Sequence, residues 1–183
     1  MLYEDGTWKY VDSEVAELTE IKTNPKKFKK GDKNTFLLKS RAFNADLYIN
    51  PKKWTFSRGK NNEDAEYELQ LKGGDLYGMI ITEKIQIPIL SLREIALSNA
   101  RDVSPDIKIT KEEYRNVNGQ DLLFLQMDGT LSGIKFSYYG YYNSNENGTV
   151  QYITYTAQSL LKGYIDQCEA LLNGLVVIEK ELT

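Results

Sequence analysis

Between residues 108 and 155 the chain repeats one pattern: an alternating apolar and polar run, then a two-residue turn signal, then another run. The runs are Lys108 to Val117, Asp121 to Met127, Gly133 to Tyr142 and Val150 to Tyr155. The signals between them are Asn118-Gly119, Asp128-Gly129 and Asn147-Gly148. Asn-Gly and Asp-Gly supply the positive φ angles that a tight hairpin needs. Parallel neighbours would instead need a crossover of a dozen residues or more. Three successive hairpins therefore commit this region to an antiparallel sheet and rule out a doubly wound parallel one.

The remaining elements fit that sheet. Glu66 to Leu71 alternates strictly, with Tyr67, Leu69 and Leu71 on one face, and Gly73-Gly74-Asp75 turns it into a partner over Leu76 to Thr82. Phe36 to Leu38 and Ala45 to Ile49 read as two more strands, the second stopped by Asn50-Pro51 because proline cannot donate to a ladder. Helical spacing replaces alternation in two places. Leu92, Ile95, Ala96, Asn99, Ala100 and Val103 follow the capping box Ser91-Leu92-Arg93-Glu94 and stop before Ser104-Pro105. Leu160, Leu161, Tyr164, Ile165, Cys168, Leu171 and Leu172 form a stripe that Asn173-Gly174 caps. The order of strands, helix, strands, helix predicts an α+β domain, an antiparallel sheet packed by helices, over residues 35–183.

Residues 1–34 predict an arm. Asp5-Gly6 before Thr7 to Val11 reads as a hairpin whose first strand is missing, the mark of a trimmed N-terminus. If a signal was removed upstream, the expected location is a bacterial cell envelope or periplasm; otherwise it is cytoplasmic. Lys22, Lys26, Lys27, Lys29, Lys30 and Lys33, opposed between them only by Asp32, predict a solvated basic linker.

The 183 residues contain no histidine and one cysteine, Cys168. That removes Ser/His/Asp and Cys/His nucleophile systems, His-ligated and multi-cysteine metal sites, and any intrachain disulfide. No catalytic residue, metal ligand or cofactor is predicted. Glu112 and Glu113 are neighbours on a strand and so face opposite sides of the sheet, which prevents them from working as a pair. Glu63, Asp64 and Glu66 lack the spacing of a calcium loop, and no glycine-rich segment has phosphate-binding spacing. Asn147-Gly148-Thr149 fits a glycosylation sequon but marks a turn. Cys168 lies on an apolar stripe and is expected to be a buried, inert thiol. A formal charge of -3 argues against nucleic acid as a partner. The longest apolar run, Ile85 to Leu92, falls short of the roughly 20 residues of an integral membrane segment.

The one enrichment is tyrosine, 13 in all. In Tyr138-Tyr139-Gly140-Tyr141-Tyr142, Tyr138 and Tyr142 share a face with Ile134 and Phe136, while Tyr139 and Tyr141 share the other. Tyr139, Tyr141 and Tyr155 are predicted to make an exposed partner-binding patch, with Gly140 admitting a partner to the backbone.

The strand and entry Tyr48-Ile49-Asn50-Pro51-Lys52-Lys53-Trp54, the helix Leu92 to Ala100 after the first hairpins, the turn Val117-Asn118-Gly119 and the tyrosine-rich strands before a last helix resemble the PsbP-like superfamily. The resemblance covers about residues 35 to 178. It implies an α/β/α sandwich, Trp54 buried as a lid on the core, and action by binding other proteins without catalysis. The histidines with which some members bind metal have no counterpart here. The function expected is a non-enzymatic protein-interaction or scaffold module using an aromatic sheet face, its protein partner unidentified. The alternative is a small-ligand-binding protein with a pocket between sheet and helix, and a carboxylate-based hydrolase is a third possibility.

Overall fold

The computed structural model describes residues 2–4, 7–9, 21–42, 44–59 and 61–178. In chain order the strands are β1 (Leu2–Glu4), β2 (Thr7–Lys9), β3 (Lys22–Phe28), β4 (Phe36–Lys39), β5 (Ala45–Ile49), β6 (Trp54–Ser57), β7 (Ala65–Leu71) and β8 (Tyr77–Glu83). Helix α1 (Ile89–Val103) follows, then β9 (Lys108–Val117), β10 (Gln120–Leu131), β11 (Ile134–Asn145), β12 (Gly148–Ala157), helix α2 (Gln158–Leu172) and β13 (Leu175–Val177). Eight strands form the main sheet in the order β3-β9-β10-β11-β12-β8-β7-β6, β13-β5-β4 form a second sheet, and β1-β2 form a separate hairpin.

Strands β9 to β12 are the three predicted hairpins, with two turns displaced, the third by one residue to Glu146-Asn147. Asn118 and Gly119 take φ of 49° and 87°, the pair of left-handed residues that a tight hairpin uses. The second turn is not at Asp128-Gly129. It is at Ser132-Gly133, with φ of 51° and 79°, and β10 runs straight through Gly129. Gly129 is a glycine for space: a Cβ there would collide with the Ser104 hydroxyl in the loop after α1. Asp128 is held in the strand by the Ser137 hydroxyl, which donates to it at 2.6 Å.

The lysine-rich segment is not a solvated linker over residues 22–28. As β3 it pairs parallel with β9, the one parallel ladder of the sheet. Its register shifts between Asn24 and Lys27, so Pro25, which has no N–H to give, falls in the irregularity of an edge strand. Phe28 anchors the strand by packing on the core, and lysines along an edge discourage pairing with another chain. The N-terminal hairpin does have a first strand, since Leu2 to Glu4 pair with Lys9 to Thr7.

Two layers sandwich the main sheet. On one face α2 and the β13-β5-β4 sheet bury Leu161, Cys168, Leu171, Leu47 and Leu175 against Leu69, Ile80, Phe124, Tyr141 and Tyr152. Trp54 lies in this core at 5% exposure, as expected. On the other face α1 sets Leu92 and Ala96 on Leu123, Leu125, Tyr142 and Ile153, and Leu97 and Ala100 on Ile107 and Met127. Fully burying a side chain of leucine size contributes about 1.5–3 kcal/mol, so both layers matter to stability. The predicted capping box does not form: α1 begins at Ile89 behind Pro88, and no side chain caps it. Glu94 instead accepts from Arg93 at 2.6 Å, and Arg93 forks onto Glu112 of β9 at 2.8 and 3.1 Å, clamping α1 to the sheet.

Candidate functional site

The predicted tyrosine patch does not exist as one surface. A two-residue loop at Glu146-Asn147 pairs odd-numbered with even-numbered positions across β11 and β12, so Tyr155 lies opposite Tyr138, and Tyr141 opposite Tyr152. A register difference of one residue changes the face. Tyr139 and Tyr141, at 3% and 0% exposure, are covered by α2, while Tyr155 is half-buried on the opposite face. Gly140 is buried too, and a Cβ there would press on Ile153 at 3.1 Å; it makes room for core packing, not for a partner.

Beneath α2 the two tyrosines help cage a buried charge. The Arg115 guanidinium lies 3.8 Å from the Phe124 ring centroid and 5.2 Å from that of Phe28. It donates to Glu113 at 2.9 Å and to Glu169 of α2 at 3.3 Å, and the Tyr139 hydroxyl donates to Glu169 at 2.8 Å. Burial, above all, pushes the Tyr141 phenol up to about 12. The Tyr141 hydroxyl donates to the Asn173 side-chain oxygen at 2.7 Å, just after the helix. These contacts dock α2 and β3 on β9, a structural task.

The aromatic face the sequence pointed to is on the other side, with different members. Thr55, Gln70, Tyr77, Tyr155, Tyr138 and Met127 stand opposite one another in turn from β6 to β10. Tyr77 and Tyr155 stack with centroids 5.6 Å apart and rings inclined by 22°. Tyr138 meets Tyr155 edge to face at 6.0 Å, and Phe136 meets Tyr138 at 5.0 Å. All four rings are half-buried. Helix α1 packs on β10, β11 and Ile153 of β12. Its clusters also take in Met79 of β8 but, among the described residues, neither Tyr77 nor Tyr155. Tyr77 and Tyr155 form one wall of a shallow hollow of about 190 Å³, whose other lining includes Thr55, Asn61, Glu68 and Gln70.

Burial raises the Tyr138 phenol, and burial followed by the nearby Glu68 carboxylate raises that of Tyr155, so both hydroxyls stay protonated and able to donate. Among the described residues Glu68 is the one charged side chain lining the hollow. It also accepts from the backbone N–H groups of Asn61 and Asn62 at 3.1 and 3.0 Å, which fixes the rim loop. Tyr77 was absent from the sequence prediction although its position was recoverable: it opens the strand after the Gly73-Gly74 turn, on the face opposite the buried Leu69 and Ile80.

Three of the carboxylates singled out in the sequence are held by other side chains. Glu112 and Glu113 do face opposite sides, one bound by Arg93 and the other by Arg115. Glu66 accepts from the Ser40 and Thr82 hydroxyls at 2.8 and 2.7 Å. Among the described residues no group of three or more Asp, Glu or Cys side chains is placed to hold a metal ion, and no helix is long and apolar enough to cross a membrane.

No family model matches the sequence, and no curated protein matches it. Solved structures do match. The cyanobacterial PsbP protein of Synechocystis sp. PCC 6803 superposes with a TM-score of 0.57 at 12% identity, over 81% of this chain and 95% of that one. LpqN of Mycobacterium tuberculosis, described as involved in cell envelope biogenesis, gives 0.51 at 8% identity over 74% and 83%. A Pseudomonas aeruginosa protein of unknown function gives 0.50 at 13% over 79% and 98%. The chain has a PsbP-like α+β fold.

Proposed function

We propose that this PsbP-like chain is a non-catalytic protein-binding module whose contact surface is the open half of the α1-side sheet face, centred on Tyr77 and Tyr155 with Tyr138 beside them. The supporting observation is the cross-strand row itself. Three tyrosines in register combine apolar ring area with hydrogen-bonding hydroxyls, the mixture that interface centres use. The partner matched to this surface presents aliphatic or aromatic side chains among hydrogen-bonding groups. Nucleic acid is a poor match, because Glu68 sits where phosphates would need cations. The likeness to LpqN, a protein involved in cell envelope biogenesis, supports an envelope location.

The test is comparative capture from cells that make the protein. Tyr77→Ala combined with Tyr155→Ala should lose the captured partner, while Ile134→Ala, at a residue 64% exposed at the start of β11, should keep it. Circular dichroism should show native structure in both variants. Equal recovery by the double variant and the wild type would refute the assignment.

A further inference from the structure

We propose that the cleft between α1 and the sheet is a binding site for a small neutral molecule that joins an apolar body to a hydrogen-bond-accepting oxygen. The cleft holds about 340 Å³, within the roughly 300–1,000 Å³ range of ligand pockets. Its sheet wall is made by Met79, Met127 and Ile153, and its helix wall by Ala96 and Ala100. Those two alanines are four residues apart and so sit one above the other on the helix face turned to the sheet. Their small side chains leave open the space that larger residues would fill. The methionine walls can adapt to an irregular apolar shape.

Tyr142, also in the lining, supplies the polar anchor. Its ring is 0% exposed, and its hydroxyl is buried with no hydrogen-bond partner in the protein. A buried hydroxyl left unpaired is costly to folding and is uncommon in native structures. Burial raises the Tyr142 phenol, so its hydroxyl stays protonated and can donate to an acceptor oxygen, while its own oxygen can also accept. Among the described residues, Asp64, exposed at the rim, is the one charged residue in the lining, and its carboxylate disfavours anions. Asn62 shares that rim, accepting from the Asp64 N–H at 2.9 Å, and its side-chain amide contacts the Met79 sulfur at 3.6 Å. With α1 on one side and residues 61–64 on the other, the opening suits a small molecule better than a folded surface. This site adjoins the protein-binding surface and shares Tyr138 with it, but neither Tyr77 nor Tyr155 lines it.

The experiment uses the full chain labelled with carbon-13 at the methionine methyls. The sequence has three methionines, and two of them, Met79 and Met127, line the cleft, leaving Met1 as an internal control. Benzamide carries the proposed pattern, ethylbenzene lacks the acceptor, and benzoate replaces the neutral amide with an anion. Benzamide should shift the Met79 and Met127 resonances saturably at millimolar concentration, the affinity typical of so small a fragment, and leave Met1 unmoved. Ethylbenzene and benzoate should bind more weakly. Tyr142→Phe should weaken benzamide about 3- to 10-fold, leave ethylbenzene unchanged and raise the melting temperature of the free protein. Tyr77→Ala should leave benzamide binding intact, which separates this site from the aromatic row. Absence of shifts at Met79 and Met127, or benzamide affinity unchanged by Tyr142→Phe, overturns the proposal.

Discussion

Replacing Arg115 with methionine removes one charge and leaves two carboxylates facing a wall of rings. The arginine is 3% exposed, Glu113 12% and Glu169 30% by side chain, so Glu113 is left in a nearly dry setting with the more distant Lys111 at 3.7 Å, while Glu169 can turn toward water. Breaking a buried ion pair by deleting one member costs about 3–5 kcal/mol. The partial exposure of Glu169 places this case toward the lower end, about 3 kcal/mol, and the lost stacking on Phe124 adds about 1 kcal/mol. Urea unfolding followed by tyrosine and tryptophan fluorescence measures the change. With a slope of about 2 kcal/mol/M, the midpoint should fall by about 1.5–2 M. Methionine keeps most of the buried stem, so the loss reports charge and stacking more than volume. Adding Glu113→Gln and Glu169→Gln to Arg115→Met should recover most of the loss, because the unpaired charges have gone. A drop below about 0.5 M for the single variant, or no recovery in the triple one, would refute the view that this network docks α2 on the sheet.

Trp54→Ala empties a buried ring site at the start of β6 and should cost about 3–5 kcal/mol, again read from the urea midpoint; an unchanged midpoint would contradict the burial argument. Cys168 is fully buried and burial pushes its thiol up to about 11, so Ellman's reagent should label it at the rate of unfolding, and fast labelling of the native protein would contradict its burial. Hydrogen bonds from Ser104 and then Thr130 hold the Asp106 carboxyl down at about 2, below its usual value. Its folded-state pKa is depressed, so its stabilisation is complete above the unfolded carboxylate range and fades as pH falls from about 4 toward 2. Melting curves across that window should show Asp106→Asn losing less stability on acidification than the wild type, and parallel curves would count against the shift.

The sequence carried the hairpins and both helices because their signals are local: Asn118-Gly119 has the φ values that its composition announces, and Leu161, Cys168 and Leu172 fall on one helical stripe. It misled where a residue answers to distant packing. Asp128-Gly129 carries a stronger turn signature than Ser132-Gly133, yet Gly129 is a glycine because Ser104 presses on it from another element. The lysines of residues 22–33 gave no strand signal because β3 is an edge strand held through Phe28 and backbone pairing with β9. For the candidate site, an aromatic face was legible from tyrosine enrichment but its membership was not. Grouping Tyr155 with Tyr139 and Tyr141 required a loop of odd length, and the two-residue turn reverses the parity. Tyr77 comes from a strand some sixty residues or more away from its aromatic neighbours in sequence, joined to them only by the β8–β12 ladder.

The central claim, that the open half of the α1-side face is where this protein meets its partner, is tested most directly by placing a photo-crosslinking benzoylphenylalanine at single positions in cells that make the protein. The positions are Tyr77 and Tyr155 on the aromatic row, and the exposed Lys162 and Asp166 on α2, across the sheet. Irradiation should give one discrete crosslinked species from Tyr77 and Tyr155 and none from the α2 positions. The same species arising from Lys162 or Asp166, with none from the tyrosine positions, would place the interface on the opposite face and contradict the account.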